Sequence, residues 1–168
     1  GASKSGSASA YMNNYNYTDE GEVDYLRSPL VKFNPTFDSS LLTFQYAYKM
    51  YSNAYTGDTL SVVVSTDCGA TWTSVWNKSG AALNNDQALY PATAASNIFI
   101  PNMASDWSHY SINLNSYKSN QNLLVGIRGT ATTANQGSAM FVDNVKISAS
   151  TPAGLSDQQF NEIVTVYP

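Results

Sequence analysis

The chain has 168 residues, of which 43% are hydrophobic and only 12% charged, and it carries a net charge of −4. That length is enough for one domain with its own core. The 8 basic residues are scattered, so the clustered Lys and Arg that a nucleic-acid partner requires are missing, and no apolar run approaches the ~20 residues of a membrane-spanning helix. Tyrosine (12) outnumbers phenylalanine (6), and Ser, Thr and Asn are abundant. The surface is therefore polar through hydroxyls and amides rather than ions, a composition associated with extracellular β-proteins. A single cysteine excludes an internal disulfide.

The opening "GASKSGSA" is small and polar. Period-two patterns then follow one another. "SASAYMNNY" (7–15) and "DYLRSPLVKF" (24–33) come first. "LLTFQYAYKMY" (41–51) places Leu42, Phe44, Tyr46, Tyr48 and Met50 on one face. "TLSVVVS" (59–65) alternates Leu60, Val62 and Val64 against Ser61, Val63 and Ser65. "TWTSVWN" (71–77), "HYSINL" (109–114), "NLLVGIRGT" (122–130) and "AMFVDNVKIS" (139–148) complete the series. Turn-rich pieces such as "NYTDEGE" and "ATTANQGS" separate them. Residues 79–107 read as an excursion with at most one short strand around "NIFIP" (97–101). Eight or nine strands and no long amphipathic helix predict an all-β domain, an antiparallel sandwich of two sheets, each burying one face against the other.

The fourth and fifth strands flank "STDCGATW" (65–72), which holds the only cysteine. Ser65, Asp67, Gly69, Thr71 and Trp72 each have a structural task in a hairpin turn. Asp67 accepts hydrogen bonds from backbone N–H groups just ahead of it, Gly69 takes a positive φ, and Trp72 opens the return strand and packs over the bend. Cys68 has no His or second Cys nearby in sequence to lower its pKa, so it reads as a structural thiol rather than a nucleophile. The S-x-D-x-G-x-T-W spacing resembles the Asp-box hairpin of extracellular β-proteins. It occurs once, which excludes a propeller built of such repeats.

Taken in order, "SASAYMNNYNY", "VDYLRSPLVKF", the block from "LLTFQYAYKMY" through "STDCGATW" to "NKSGAAL", and "MFVDNVKIS" resemble the MAM-like, galactose-binding-like jelly-roll modules of secreted Bacteroidetes proteins. These belong to the cleaved-adhesin or choice-of-anchor group, and the likeness is to those that follow cytophagalysin-type zinc metallopeptidase domains. The resemblance covers about residues 5–148. It implies a jelly-roll module over 1–148 and a secreted or cell-surface location. It also implies a non-catalytic accessory or adhesion role, in which the module binds a glycan or an extracellular protein or supports an adjacent peptidase domain of the parent protein. Family members begin with a strand carrying Phe-Glu, ahead of where this sequence starts. "ASTPAG" (149–154) reads as a linker, and 155–168 resembles the start of a type IX secretion sorting domain. A purely structural extracellular spacer and a free-standing hydrolase are the alternative readings.

Alternation places Phe141, Asp143, Val145 and Ile147 on one face. A carboxylate among apolar neighbours must be protonated, paired, hydrogen-bonded or bound to a cation. In the family it resembles, this last-strand Asp helps to hold a structural calcium, and the loop at 4–7 has carbonyls of the kind calcium takes. The other readings are a hydrogen-bonded Asp near a strand edge and an ion pair with Arg27 or Arg128. His109, with Asp106 and a serine, allows a Ser-His-Asp triad to be drawn, but no nucleophile elbow accompanies it. One His and one Cys fall short of a zinc site. Asp19, Glu20, Glu22 and Asp24 form a solvated turn that offers possible cation ligands. The tyrosines suit either the rim of the core or flat ligand contacts; the binding reading centres on Tyr51, Tyr55 and Trp107.

Overall fold

The computed structural model describes residues 2–50, 58–85, 99–131 and 138–151, with the backbone of 164 and 165. The strands are β1 (Ala10–Asn13), β2 (Val23–Arg27), β3 (Ser39–Tyr48), β4 (Thr59–Ser65), β5 (Thr73–Ser79), β6 (Ser108–Asn113), β7 (Leu124–Thr130), β8 (Ala139–Ser150) and β9 (Val164–Thr165). All pairings are antiparallel. One sheet has the order β1-β8-β3-β6, with β9 also on β8, and the other the order β2-β7-β4-β5. The first strand pairs with the eighth, the second with the seventh, the third with the sixth and the fourth with the fifth. Such nested pairing, split between two facing sheets, is a jelly roll. Among the described residues only single 3₁₀ turns interrupt the strands, and no helix is long and apolar enough to cross a membrane.

The predicted inward faces form the core. Leu42, Phe44, Tyr46 and Tyr48 of β3 meet Leu60, Val62 and Val64 of β4, Val125 and Ile127 of β7, and Met140, Val142 and Ile147 of β8. Each such side chain contributes roughly 1.5–3 kcal/mol by leaving water. Trp76 packs edge-on to Phe44, with ring centroids 5.6 Å apart, and Tyr110 stacks on Tyr46 at 5.7 Å. Two of the clustered tyrosines, Tyr46 and Tyr48, are therefore core residues.

A buried polar node pins the two sheets at one end. The Tyr48 hydroxyl donates to Asp58 Oδ2 at 3.1 Å and accepts the Asp58 N–H at 3.1 Å. Ser138 N–H donates to the same carboxylate oxygen at 2.7 Å. Tyr48 ends β3, Asp58 leads into β4 and Ser138 leads into β8, so one carboxylate ties both layers.

Two details depart from the sequence reading. The second pattern, 24–33, is a strand only to Arg27; Pro29 lacks a ladder donor, and Val31 makes a single bridge to Leu123. At Phe99, Ile100 and Pro101 there is no strand, within the expectation of at most one short strand there; Phe99 plugs the outer face of the β1-β8-β3-β6 sheet. β8 continues through Ser150, into the stretch read as linker.

Candidate functional site

The turn between β4 and β5 has the geometry its residues predict. Ser65 O–H donates to Asp67 Oδ1 at 2.7 Å, and Gly69 N–H donates back to Ser65 Oγ at 2.8 Å. Thr71 gives its N–H to Asp67 Oδ1 at 2.9 Å and its hydroxyl to Oδ2 at 2.6 Å. The Ser65 hydroxyl, followed by the two Thr71 donors, holds the Asp67 carboxyl well below the usual carboxylate range. Gly69 sits at φ 93° and Cys68 at φ 60°; the thiol is exposed and unbridged. Trp72 covers the outer face of the second sheet. Its ring lies 5.8 Å from Tyr25, and the Arg27 guanidinium stands over it at 5.3 Å. Gly126 makes room for it: a Cβ there would fall 3.1 Å from Val63 and 3.3 Å from Trp72. The motif is architectural in its contacts.

Asp143 lies elsewhere than alternation placed it. Gln45 pairs with Asp143 but Thr43 pairs with Lys146, so Asn144 and Val145 together face Phe44 in a β-bulge. Asn144 adopts φ 53°, a left-handed conformation that Asn tolerates better than most residues. The extra residue switches the faces. Met140 and Val142 point into the core before it, and Val145, Ile147 and Ala149 after it. Phe141 and Asp143 therefore lie on the outer face, while Val145 and Ile147 lie on the inner one. Asp143 is half-buried, and its carboxylate accepts N–H groups from Lys4 (2.6 Å), Ser5 (3.0 Å) and Asn144 (2.6 Å). The loop at 4–7 thus presents donors to it, where calcium would need oxygens. Arg27 is stacked on Tyr25 and Trp72 instead. Among the described residues no group of three His, Cys, Asp or Glu side chains gathers to hold a metal. As arranged, these residues do not fit calcium.

The outer face of the β1-β8-β3-β6 sheet is divided in two. At one end Phe99 and Trp107 close over Ala47, Ala139 and Phe141, with Ala2 at the margin. Trp107 is only 9% exposed, so it covers the sheet and presents no open stacking surface. Tyr51 and Tyr55 lie outside the described residues. Asp106 is buried beside this cover. It pairs with Lys49 at 3.3 Å and accepts the N–H groups of Asn102 and Met103 at 2.9 and 3.0 Å. Burial pushes its pKa up, but those N–H groups and the Lys49 ammonium outweigh it and hold the carboxyl below its ordinary value. With that carboxylate so engaged, the Asp106–His109 half of a triad is not assembled. His109 is exposed, opposite Gln45 in the ladder.

The other end of the same face is open. Thr43, Gln45, His109, Asn144 and Lys146 line a trough of about 400 Å³. Toward the covered end, on β1 opposite Phe141, Tyr11 stands 46% exposed with its ring backed by Phe141 at 5.0 Å. Hydroxyl, amide, imidazole and ammonium groups thus converge on a rigid sheet whose same face carries a supported aromatic ring farther along. Sequence reading missed this group. The signal was available in the outward positions of three neighbouring strands, but their pairing order was needed to bring them together. The acidic turn is a separate surface feature. Tyr17 donates its hydroxyl to Asp24, and burial together with that carboxylate pushes the phenol up.

No family model and no curated protein matches the chain. Among solved structures, it is similar to the K3 cleaved adhesin domain of Lys-gingipain from Porphyromonas gingivalis w83, with a TM-score of 0.52 and 16% identity over 83% of this chain and 72% of that one. The likeness is one of fold. A carbohydrate-binding module, CBM27-1 of Caldicellulosiruptor saccharolyticus solved with mannohexaose, aligns with a TM-score of 0.43 and 15% identity over 82% and 70% of the two chains.

Proposed function

We propose that the protein is a non-catalytic binding module that holds a saccharide on the outer face of the β1-β8-β3-β6 sheet. One observation carries this reading: the open trough of Thr43, Gln45, His109, Asn144 and Lys146, with the propped ring of Tyr11 farther along the same sheet face. Vicinal hydroxyls of a sugar need paired donors and acceptors at fixed spacing, which amides and imidazole supply. The apolar face of a pyranose packs on an aromatic ring. Side chains on neighbouring strands keep these groups in register without ordering a loop, which lowers the entropy lost on binding. The hydroxyl-rich, weakly charged composition and the resemblance to cleaved-adhesin modules support a place outside the cell, as an accessory next to a peptidase or other domain.

The test is a glycan array probed with the full chain, followed by titration of any hit against Gln45→Ala with His109→Ala, and against Tyr11→Ala. The reading expects a saccharide hit that weakens at least tenfold in both variants while their melting temperatures hold. No hit above background, or binding indifferent to these side chains, overturns it.

A further inference from the structure

β1 has four residues and covers only Ala139–Val142 of the twelve-residue β8. Past the bulge, the same edge of β8 runs on without β1 as far as Ser150. An edge strand that stops half-way leaves a row of backbone donors and acceptors unpaired by that strand. A groove also opens beside this edge, against the connection from β2 to β3. Ile147 and Ala149 on one side and Leu30, Val31, Phe33 and Phe37 on the other bound an apolar groove of about 270 Å³, and Leu30 is 53% exposed at its rim. A segment is already seated on this edge: Thr165 pairs antiparallel with Lys146, and Val164 with Ile147.

We propose that the β8 edge from the bulge to Ser150, with the groove beneath it, is a strand-acceptor site, and that its occupant is the C-terminal stretch of the same molecule around Val164 and Thr165. Residues 164 and 165 then form a closing strand of the sandwich rather than the start of a separate sorting domain. Three observations support that occupant. The pairing is antiparallel, as in every other ladder of the fold. The register sets position 164 opposite core-facing Ile147 and position 165 opposite exposed Lys146, so apolar and polar positions fall where the sheet's alternation requires them. The sequence "IVTVY" at 163–167 consists wholly of β-branched and aromatic residues, the strongest strand formers. The site recognises backbone and alternating apolar character. It runs along the edge of the sandwich and meets the open trough at Lys146, which pairs with Thr165.

The test uses the full chain in a Cys68→Ser background. Lys146→Cys with Thr165→Cys puts two thiols directly opposite each other. Directly opposite Cα atoms are about 4.5–5.5 Å apart, within disulfide reach. The expected result on mild oxidation is a monomer with an internal disulfide, while Asn13→Cys with Thr165→Cys, set seven residues apart along the same edge of β8, stays reduced. Persisting free thiols in the first pair, a bond formed only between two molecules, or equal reaction of both pairs would overturn the proposal. In parallel, Val164→Pro with Thr165→Pro should speed amide exchange across residues 146–148 on the order of tenfold, the loss of one net hydrogen bond, and unchanged exchange there would also overturn it.

Discussion

Tyr48→Phe removes a single oxygen atom from the polar node that joins the sheets, and it leaves no apolar cavity. The hydroxyl donates to the Asp58 carboxylate and accepts from the Asp58 N–H. Both residues are 1% exposed, so water does not replace what is lost. A hydrogen bond to a charged group contributes about 1.5–3 kcal/mol, and a buried N–H deprived of its acceptor costs about 1–3 kcal/mol. Allowing for overlap between the two, the variant should lose about 3 kcal/mol. For a domain of this size that lowers the melting temperature by roughly 6–12 °C. Urea unfolding followed by tryptophan fluorescence measures it directly, with an unchanged slope showing that only stability has moved. A loss below about 1 kcal/mol would mean that the node contributes little to holding β3, β4 and β8 together, and the reasoning would fail.

Asp106 makes stability depend on pH. Its carboxyl binds protons less tightly folded than unfolded, so its contribution is complete above the unfolded value near 3.9 and is lost as the pH falls through the lower folded one. Melting curves between pH 5 and pH 2 should therefore decline less steeply for Asp106→Asn than for the native chain; parallel declines would refute the assignment. Because N–H groups occupy the Asp143 carboxylate, EDTA should leave the melting temperature unchanged, and a drop of several degrees would reveal a required cation. Asp67→Ala should speed amide exchange at Gly69 and Thr71 while Val62 and Val64 stay protected; exchange spreading down β4 would give the turn a global role.

The inward face of β3 was legible because every second residue from Leu42 to Tyr48 is large and apolar, and β4 was legible for the same reason. The hairpin turn was legible because each of its residues has one conformational or hydrogen-bonding specialty. Asp143 was misplaced because alternation assumes an unbroken ladder, and one inserted residue at Asn144 inverts everything beyond it. An Asn next to that Asp, inside a strand, was the only local sign. Trp107 read as a ligand contact because nothing local shows that Phe99 lies beside it; that packing joins residues from an excursion with little periodicity. The trough was illegible for a different reason. Thr43, His109 and Lys146 come from strands far apart in sequence, and neighbours across a ladder are invisible until the strand order is known.

The nested strand order also sets a sequence of events. Within the nest, β4 and β5 meet by closing the shortest loop, whereas β1 must wait for β8, which lies most of the chain away. Because the entropy of loop closure rises with the length enclosed, and distant pairings slow assembly, the Asp67 bend is the natural starting point and the outermost ladder the last to zip. A polypeptide still being synthesised, or still threading through a pore, therefore holds its first two strands without their partners. It remains open to chaperones, and to mispairing, until its final third emerges.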